Sequence, residues 1–349
     1  MNIFFLILLA FIPATLAVRA LGASPVVLFF LSAIAIVPLA KFIGEATEKL
    51  ASRTSHALGG LLNATFGNAT ELIIGAFALN AGLIEIVKAS LTGSIIGNLL
   101  LVLGSAMFLG GTRYKKQEFN KTAALASGSS LFLAVIALVV PAIFVQTVPG
   151  AVGMLTLNMS VLVSLVLIVL YAASLVFSLH THKHLYTAEV GVEEGGGWST
   201  AKSVWVLAIA TVLVAWMSQI LVGSITPLIA AFGWTEAFVG IVFIAIIGNA
   251  AEHVSAVMVA AKNKMGLALQ VAIGSASQIA MFVAPFLVLA SLFFAHQMTL
   301  VFSTFELVAL VLSVLLVNIV VADGESNWLE GLQLMAAYAI IAVAFYFHP

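Results

Sequence analysis

Long, almost uninterrupted apolar runs recur from one end of this chain to the other, and they fix its environment before any motif is considered. A helix crossing the hydrocarbon core of a bilayer needs about 20 mostly apolar residues. Divided at its polar clusters, the sequence offers about eleven such runs, at 2–18, 24–43, 60–81, 87–110, 121–145, 151–178, 203–223, 235–261, 266–295, 299–321 and 330–347. A membrane barrel would show short alternating strands instead. Composition agrees, with 63% of the 349 residues apolar and 8% charged, against roughly 45–50% and about 25% in soluble domains. No polar stretch is long enough for an attached soluble domain. The expected fold is therefore an all-α polytopic protein integral to the lipid bilayer. The first run is expected to stay as a helix rather than act as a leader, because no basic residue precedes it and Arg19 is the first.

Orientation follows from the basic residues, which favour cytoplasmic loops. Eleven spans put Lys41, Lys49, Arg53, Arg113, Lys115, Lys116, Lys121, Lys183, Lys202, Lys262 and Lys264 on one face and only Arg19 and Lys88 on the other. The N-terminus is expected in the cytoplasm and the C-terminus outside. Basic residues spread thinly through loops form no patch for nucleic acid, so none is expected as a partner. The absence of cysteine removes disulfides, thiolate metal sites and cysteine nucleophiles. No GxSxG, HExxH or glycine-rich phosphate loop occurs, so neither an enzyme nor a bound cofactor is expected.

An internal repeat sharpens the reading. Gly67-Asn68-Ala69-Thr70-Glu71 returns as Gly248-Asn249-Ala250-Ala251-Glu252, a shift of 181 positions, and the same shift carries Gly93-Ser94 onto Gly274-Ser275. The chain divides into a leading helix (1–20), a first five-helix repeat (24–179), a linker (180–202) and a second five-helix repeat (203–349). Five is odd, so the second repeat enters the membrane from the opposite face. Inverted repeats are a transporter architecture with the site near the midplane. The linker holds His180, His182 and His184, then Glu189, Glu193 and Glu194, and reads as a solvated hinge on the cytoplasmic face rather than a metal site.

An ionisable group deep in a span costs roughly 2.5–3.5 kcal/mol on insertion scales and points to function. Glu71 and Glu252 each fall near the middle of a run, at the same place in the repeat. Asn68 and Asn249, three residues earlier, share a helical face with the carboxylates. Gly67 and Gly248 precede these amides and let the backbone open, which a membrane tolerates only where the freed groups line a cavity. Ser94 and Ser275 add hydroxyls, with Asn98 and Gln278 a turn onward. Oxygen donors with two carboxylates suit a hard cation such as calcium, and the same set admits manganese. His253 reads as a packing residue beside the motif. A divalent cation needs both carboxylates ionised, so it competes with protons for them, and a site that closes only when occupied converts that competition into antiport. Of the weaker signals, Gly93-Ser-Ile-Ile-Gly97 is a close-packing GxxxG, Glu45 is spaced to pair with Lys41 and Lys49, and Glu306 is expected to reach the interface.

GNATELI at 67–73 and GNAAEH at 248–253 resemble the paired signature repeats of the calcium/proton exchangers, the CAX branch of the calcium/cation antiporter superfamily. GSIIGNLLLVLG at 93–104, GSASQIAMFVAP at 274–285 and DGESNWLEG at 323–331 look like further portions of that pattern. The likeness runs from about residue 24 to the C-terminus and resembles prokaryotic members, which implies a prokaryotic cell membrane. It implies eleven helices and calcium extrusion driven by proton influx. Glu71 and Glu252 would be the exchange carboxylates, with Asn68, Asn249, Ser94, Ser275 and Gln278 in support, and a homo-oligomer is compatible with it. Two other readings stay open: a sodium-coupled exchanger of the same superfamily, and a passive cation channel with the two glutamates as a selectivity ring.

Overall fold

In a computed structural model that describes residues 3–54, 59, 62, 63, 65–148, 150, 153–182 and 198–348, the apolar runs fold into a helical bundle. Its helices are α1 (Phe5–Ala20), α2 (Pro25–Ala51), α3 (Ala69–Asn80), α4 (Ile84–Arg113), α5 (Lys121–Thr147) and α6 (Met154–Thr181). After the linker come α7 (Thr200–Phe232), α8 (Glu236–Gly248), α9 (Ala250–Ala260), α10 (Met265–Ser291), α11 (Thr304–Val320) and α12 (Trp328–Phe347). Among the described residues, seven of these are long and apolar enough to cross a bilayer. An eighth span is made if α8 and α9 count as one helix, bent by 63°, and α1, α3 and α11 are shorter apolar helices. Of the linker's histidines, His180 falls in the last turn of α6 and His182 directly follows it, whereas His184, Glu189, Glu193 and Glu194 lie outside the described residues.

Burial sorts the helices into a centre and a rim. In its most apolar stretch α4 is 89% buried and α10 72%, whereas α6 and α12 are each 22% buried. A helix apolar all round and buried is an inner helix; one apolar and exposed faces lipid. Around this centre α2 packs along α7, α4 along α12, α9 against both α4 and α10, and α5 against α11. Glycine permits the tightest of these contacts. A Cβ at Gly104 would lie 2.9 Å from the Gly331 carbonyl oxygen, so α4 and α12 touch backbone to backbone, as small residues allow in membranes.

Three departures from the expected spans have local causes. α2 runs on past its apolar stretch to Ala51, because Lys41 and Glu45 pair across one turn at 3.2 Å. Glu306, expected at an interface, is packed inside the protein at the start of α11. It is 4% exposed, and its carboxylate accepts from the Ser303 amide at 2.9 Å while the Ser303 hydroxyl accepts from the Glu306 amide. This capping box starts α11. Two strands too short for any sequence signal, β1 (Gln117–Glu118) and β2 (Glu325–Ser326), pair antiparallel on the face that carries most of the basic loops. Lys116 ion-pairs with Glu325 and Glu118 there, and those two carboxylates raise its pKa above the ordinary lysine value.

Gln117 ties this strand pair to the end of α9. Its Nε2 donates to the Ala260 carbonyl at 2.9 Å and to Asn263 Oδ1 at 3.0 Å, and the residue is 1% exposed. Gln117→Leu removes both bonds from a buried place, which costs about 1–3 kcal/mol. The expected result is a lower melting temperature of the purified protein; an unchanged one would mean that α9 is held otherwise.

Candidate functional site

Two helix breaks at the centre of the bundle carry the site. Leu62, Asn63, Thr65 and Phe66 are helical, the chain turns at Gly67 and Asn68, and α3 begins at Ala69. In the second half α8 ends at Gly248, and α9 begins at Ala250 after the 63° bend. The asparagines at the turns have matching backbones, φ −103 ψ 20 for Asn68 and φ −94 ψ 12 for Asn249. Both lie near the sparsely populated bridge region, where many functional residues are found. Glu71 and Glu252 therefore occupy the first turns of α3 and α9. There the exposed amide dipoles favour negative charge.

The asparagine side chains lock the two halves together. Asn249 Nδ2 donates to Ser94 Oγ at 2.8 Å and to the Ala245 carbonyl at 2.9 Å. Asn98 Nδ2 donates to Ser275 Oγ at 2.9 Å and to Asn249 Oδ1 at 3.1 Å. Asn68 Nδ2 donates to Gln278 Oε1 at 2.7 Å. Two clusters result: Asn98, Asn249, Ser94 and Ser275 in one buried net, and Asn68 with Gln278 in a separate pair. All the amides and hydroxyls expected from the sequence are thus gathered at the breaks. Asn98 Oδ1 and Glu71 Oε2 are buried with no hydrogen-bond partner, and such oxygens are costly unless a proton or cation meets them.

The two glutamates sit in unequal surroundings. Glu71 faces a closed space of about 10 Å³, lined also by Ser90, Ser94, Gly248 and Leu287. Glu252 faces a cavity of about 470 Å³ shared with Glu48, Ser255, Gln270, Ser275 and Gln278. That cavity reaches Lys41 and Glu45, whose side chains are 29% and 33% exposed on the basic face. His253 lines neither space. Among the described residues no three His, Cys, Asp or Glu side chains gather as a metal cluster.

Some features of the site were not expected. α4 contains a π-helical stretch at Gly97–Val102 and α10 another at Ile279–Val283. The repeat shift of 181 carries 97–102 onto 278–283, so the two stretches are counterparts. Such wide turns appear frequently at functional sites. The same shift pairs Asn98 with Ile279 and Gly97 with Gln278. The polar residues of the two halves are therefore offset by one position and make different bonds. Glu48 was also missed, because it lies beyond the apolar run of α2 and only the packing of α9 against α2 brings it to the cavity.

A polytopic helical bundle with two broken helices meeting at paired carboxylates has the build of a secondary transporter. The sequence profile of the sodium/calcium exchanger protein family matches residues 24–180 and again 202–347, and the chain belongs to that family. It is 48% identical over 364 residues to a Ca2+/H+ antiporter of Synechocystis, covering 99% of this chain and 97% of that protein. It is 46% identical over 350 residues to the Ca2+/H+ antiporter ChaA of Bacillus subtilis, covering 99% of each. The solved structure of native YfkE superposes with a TM-score of 0.87 at 44% identity, over 99% of this chain and 100% of that one. The sodium–calcium exchanger NCX_Mj shares the fold at a TM-score of 0.55 and 20% identity, over 92% and 97%.

Proposed function

We propose that this protein exchanges cytoplasmic calcium for external protons by alternating access, with Glu71 and Glu252 binding either the cation or protons. The observation that carries the reading is the pair of glutamates at matched helix breaks, one closed off and the other opening to a wide cavity. A single pathway that is open on one side and sealed on the other fits a carrier and not a channel. The names of the relatives supply the two ions. With two five-helix repeats in opposite orientation and the basic loops in the cytoplasm, the cavity beside Glu252 faces inward, the N-terminus is cytoplasmic and the C-terminus external. Residues 180–202 link the repeats, and the membrane is that of a prokaryotic cell. The protein is not an enzyme and needs no cofactor; manganese is a second cation suited to the same oxygens.

Two glutamates that each release a proton for one divalent cation make the cycle electroneutral. Because calcium needs both ionised, falling pH weakens its binding. Where both carry protons, the apparent Kd rises by up to about 100-fold per pH unit. Calcium binding to the purified protein across the neutral range checks the sign, and a Kd independent of pH contradicts competition. The reading as a whole is tested in inside-out membrane vesicles holding a proton gradient. Calcium is expected to dissipate the gradient and sodium to leave it. Dissipation by neither ion, together with calcium uptake driven by a sodium gradient, would assign the sodium-coupled alternative, whereas calcium flux that never runs uphill would assign a channel.

A further inference from the structure

Gly248 does more than end a helix. A Cβ built on it would meet, as its three nearest atoms, Cγ of Glu71 at 3.2 Å, Oε1 at 3.3 Å and Cδ at 3.5 Å. The acidic arm of one half thus lies in the space that a missing side chain leaves in the other half. At the repeat-equivalent Gly67 the three nearest atoms all belong to Asn63, while Glu252 and Gly67 together border the wide cavity. The two glycines that the repeat makes equivalent therefore have different neighbours: the Glu71 arm lies against Gly248, whereas a Cβ at Gly67 would be met first by the Asn63 carbonyl oxygen. Gly248 and Glu71 border the small closed space, Gly67 and Glu252 the wide cavity.

We propose that Gly248 is a seat for the Glu71 side chain, filled while the site is open to the basic face and vacated when it turns to the opposite face. The proposal deepens the alternating-access reading and rests on it. It differs from a role in breaking the helix in one checkable respect. A helix-breaking glycine acts through its own backbone, whatever stands at position 71, whereas a seat acts only through the glutamate arm. Gly248 is not among the residues with positive φ, so alanine fits its backbone and adds one methyl group to the seat.

The chain has no cysteine, so single cysteines report accessibility cleanly. Ser255→Cys places one on the wide cavity and Ser90→Cys one on the closed space. Adding Gly248→Ala is expected to slow maleimide labelling at Ser255→Cys and to speed it at Ser90→Cys. Each change should be about fivefold or more, as for a methyl group forced into a filled space. In a Glu71→Ala background Gly248→Ala should change neither rate. Equal effects in both backgrounds, or no effect with Glu71 present, would overturn the seat. If Gly248→Ala does not fold, Glu71→Asp withdraws the arm instead and must shift labelling in the same direction; unchanged labelling overturns the proposal equally. Labelling is read without transport, so a failure of the seat is distinguishable from a failure of calcium/proton exchange.

Discussion

Glu71→Gln and Glu252→Gln are each expected to abolish calcium-driven proton movement while leaving a folded protein. Glutamine keeps the shape of glutamate and one carbonyl oxygen, so the packing of Glu71 against Gly248 survives the change. What is lost is one negative charge and one titratable group. A divalent cation held by a single carboxylate keeps uncompensated charge in a site largely removed from water, and breaking such a pairing costs about 3–5 kcal/mol. Affinity should fall by a factor of hundreds or more. The same variant removes one of the two protons from the cycle, so binding and coupling fail together. The check is fluorescence of a pH-sensitive dye in inside-out vesicles, with melting temperature measured alongside to separate a dead site from a misfolded chain. A folded Glu71→Gln or Glu252→Gln protein that exchanged at the normal rate would remove the glutamates from the mechanism.

Much of the fold was legible because membrane helices obey a simple length rule, and the two breaks were legible because Gly-Asn-x-x-Glu repeats at a fixed shift. What lay hidden depends on contacts between distant segments. Asn98 and Gln278 look equivalent at one turn beyond their serines, yet they are offset by one position. The bonds of Asn98 run to Asn249 and Ser275, and that of Gln278 to Asn68. The π-helical stretches that reset the local register leave no mark in hydropathy. Glu306 looked like an interfacial acid because its capping partner, Ser303, lies just before the helix and its burial comes from tertiary packing. Gly248 could be recognised as a place where the backbone bends, but not as the surface on which Glu71 rests, since that contact joins the two halves.

The GxxxG at Gly93 and Gly97 divides in the same way, and it yields the second large expected effect. Two small residues spaced by four usually mark one close helix crossing, yet the two positions differ. A Cβ at Gly93 would overlap the backbone of Ile241 in α8, and one at Gly240 would overlap the Ala89 side chain and lie 3.0 Å from the Ile86 carbonyl oxygen. Around Gly97 nothing lies within 4 Å of a Cβ. The crossing of α4 and α8 is therefore built from Gly93 and Gly240, one glycine from each helix. Because the overlap is with the Cβ itself and the atoms it meets are backbone, no rotamer relieves it, and Gly93→Ala must push α8 outward. α8 leads directly into Gly248 and Asn249, and the next residue of α4 is Ser94, which accepts from Asn249 at 2.8 Å. Moving α8 strands these buried polar groups at about 1–3 kcal/mol each, on top of about 1–3 kcal/mol for the overpacking. Gly93→Ala is expected to lose most of its folded yield in detergent and all exchange. Gly97→Ala should keep its melting temperature, since alanine fills open space and favours the helix by about 1 kcal/mol. Equal melting temperatures for the two variants would mean that α4 and α8 do not cross at Gly93. The net around Asn249 would then have to be held together by its hydrogen bonds alone.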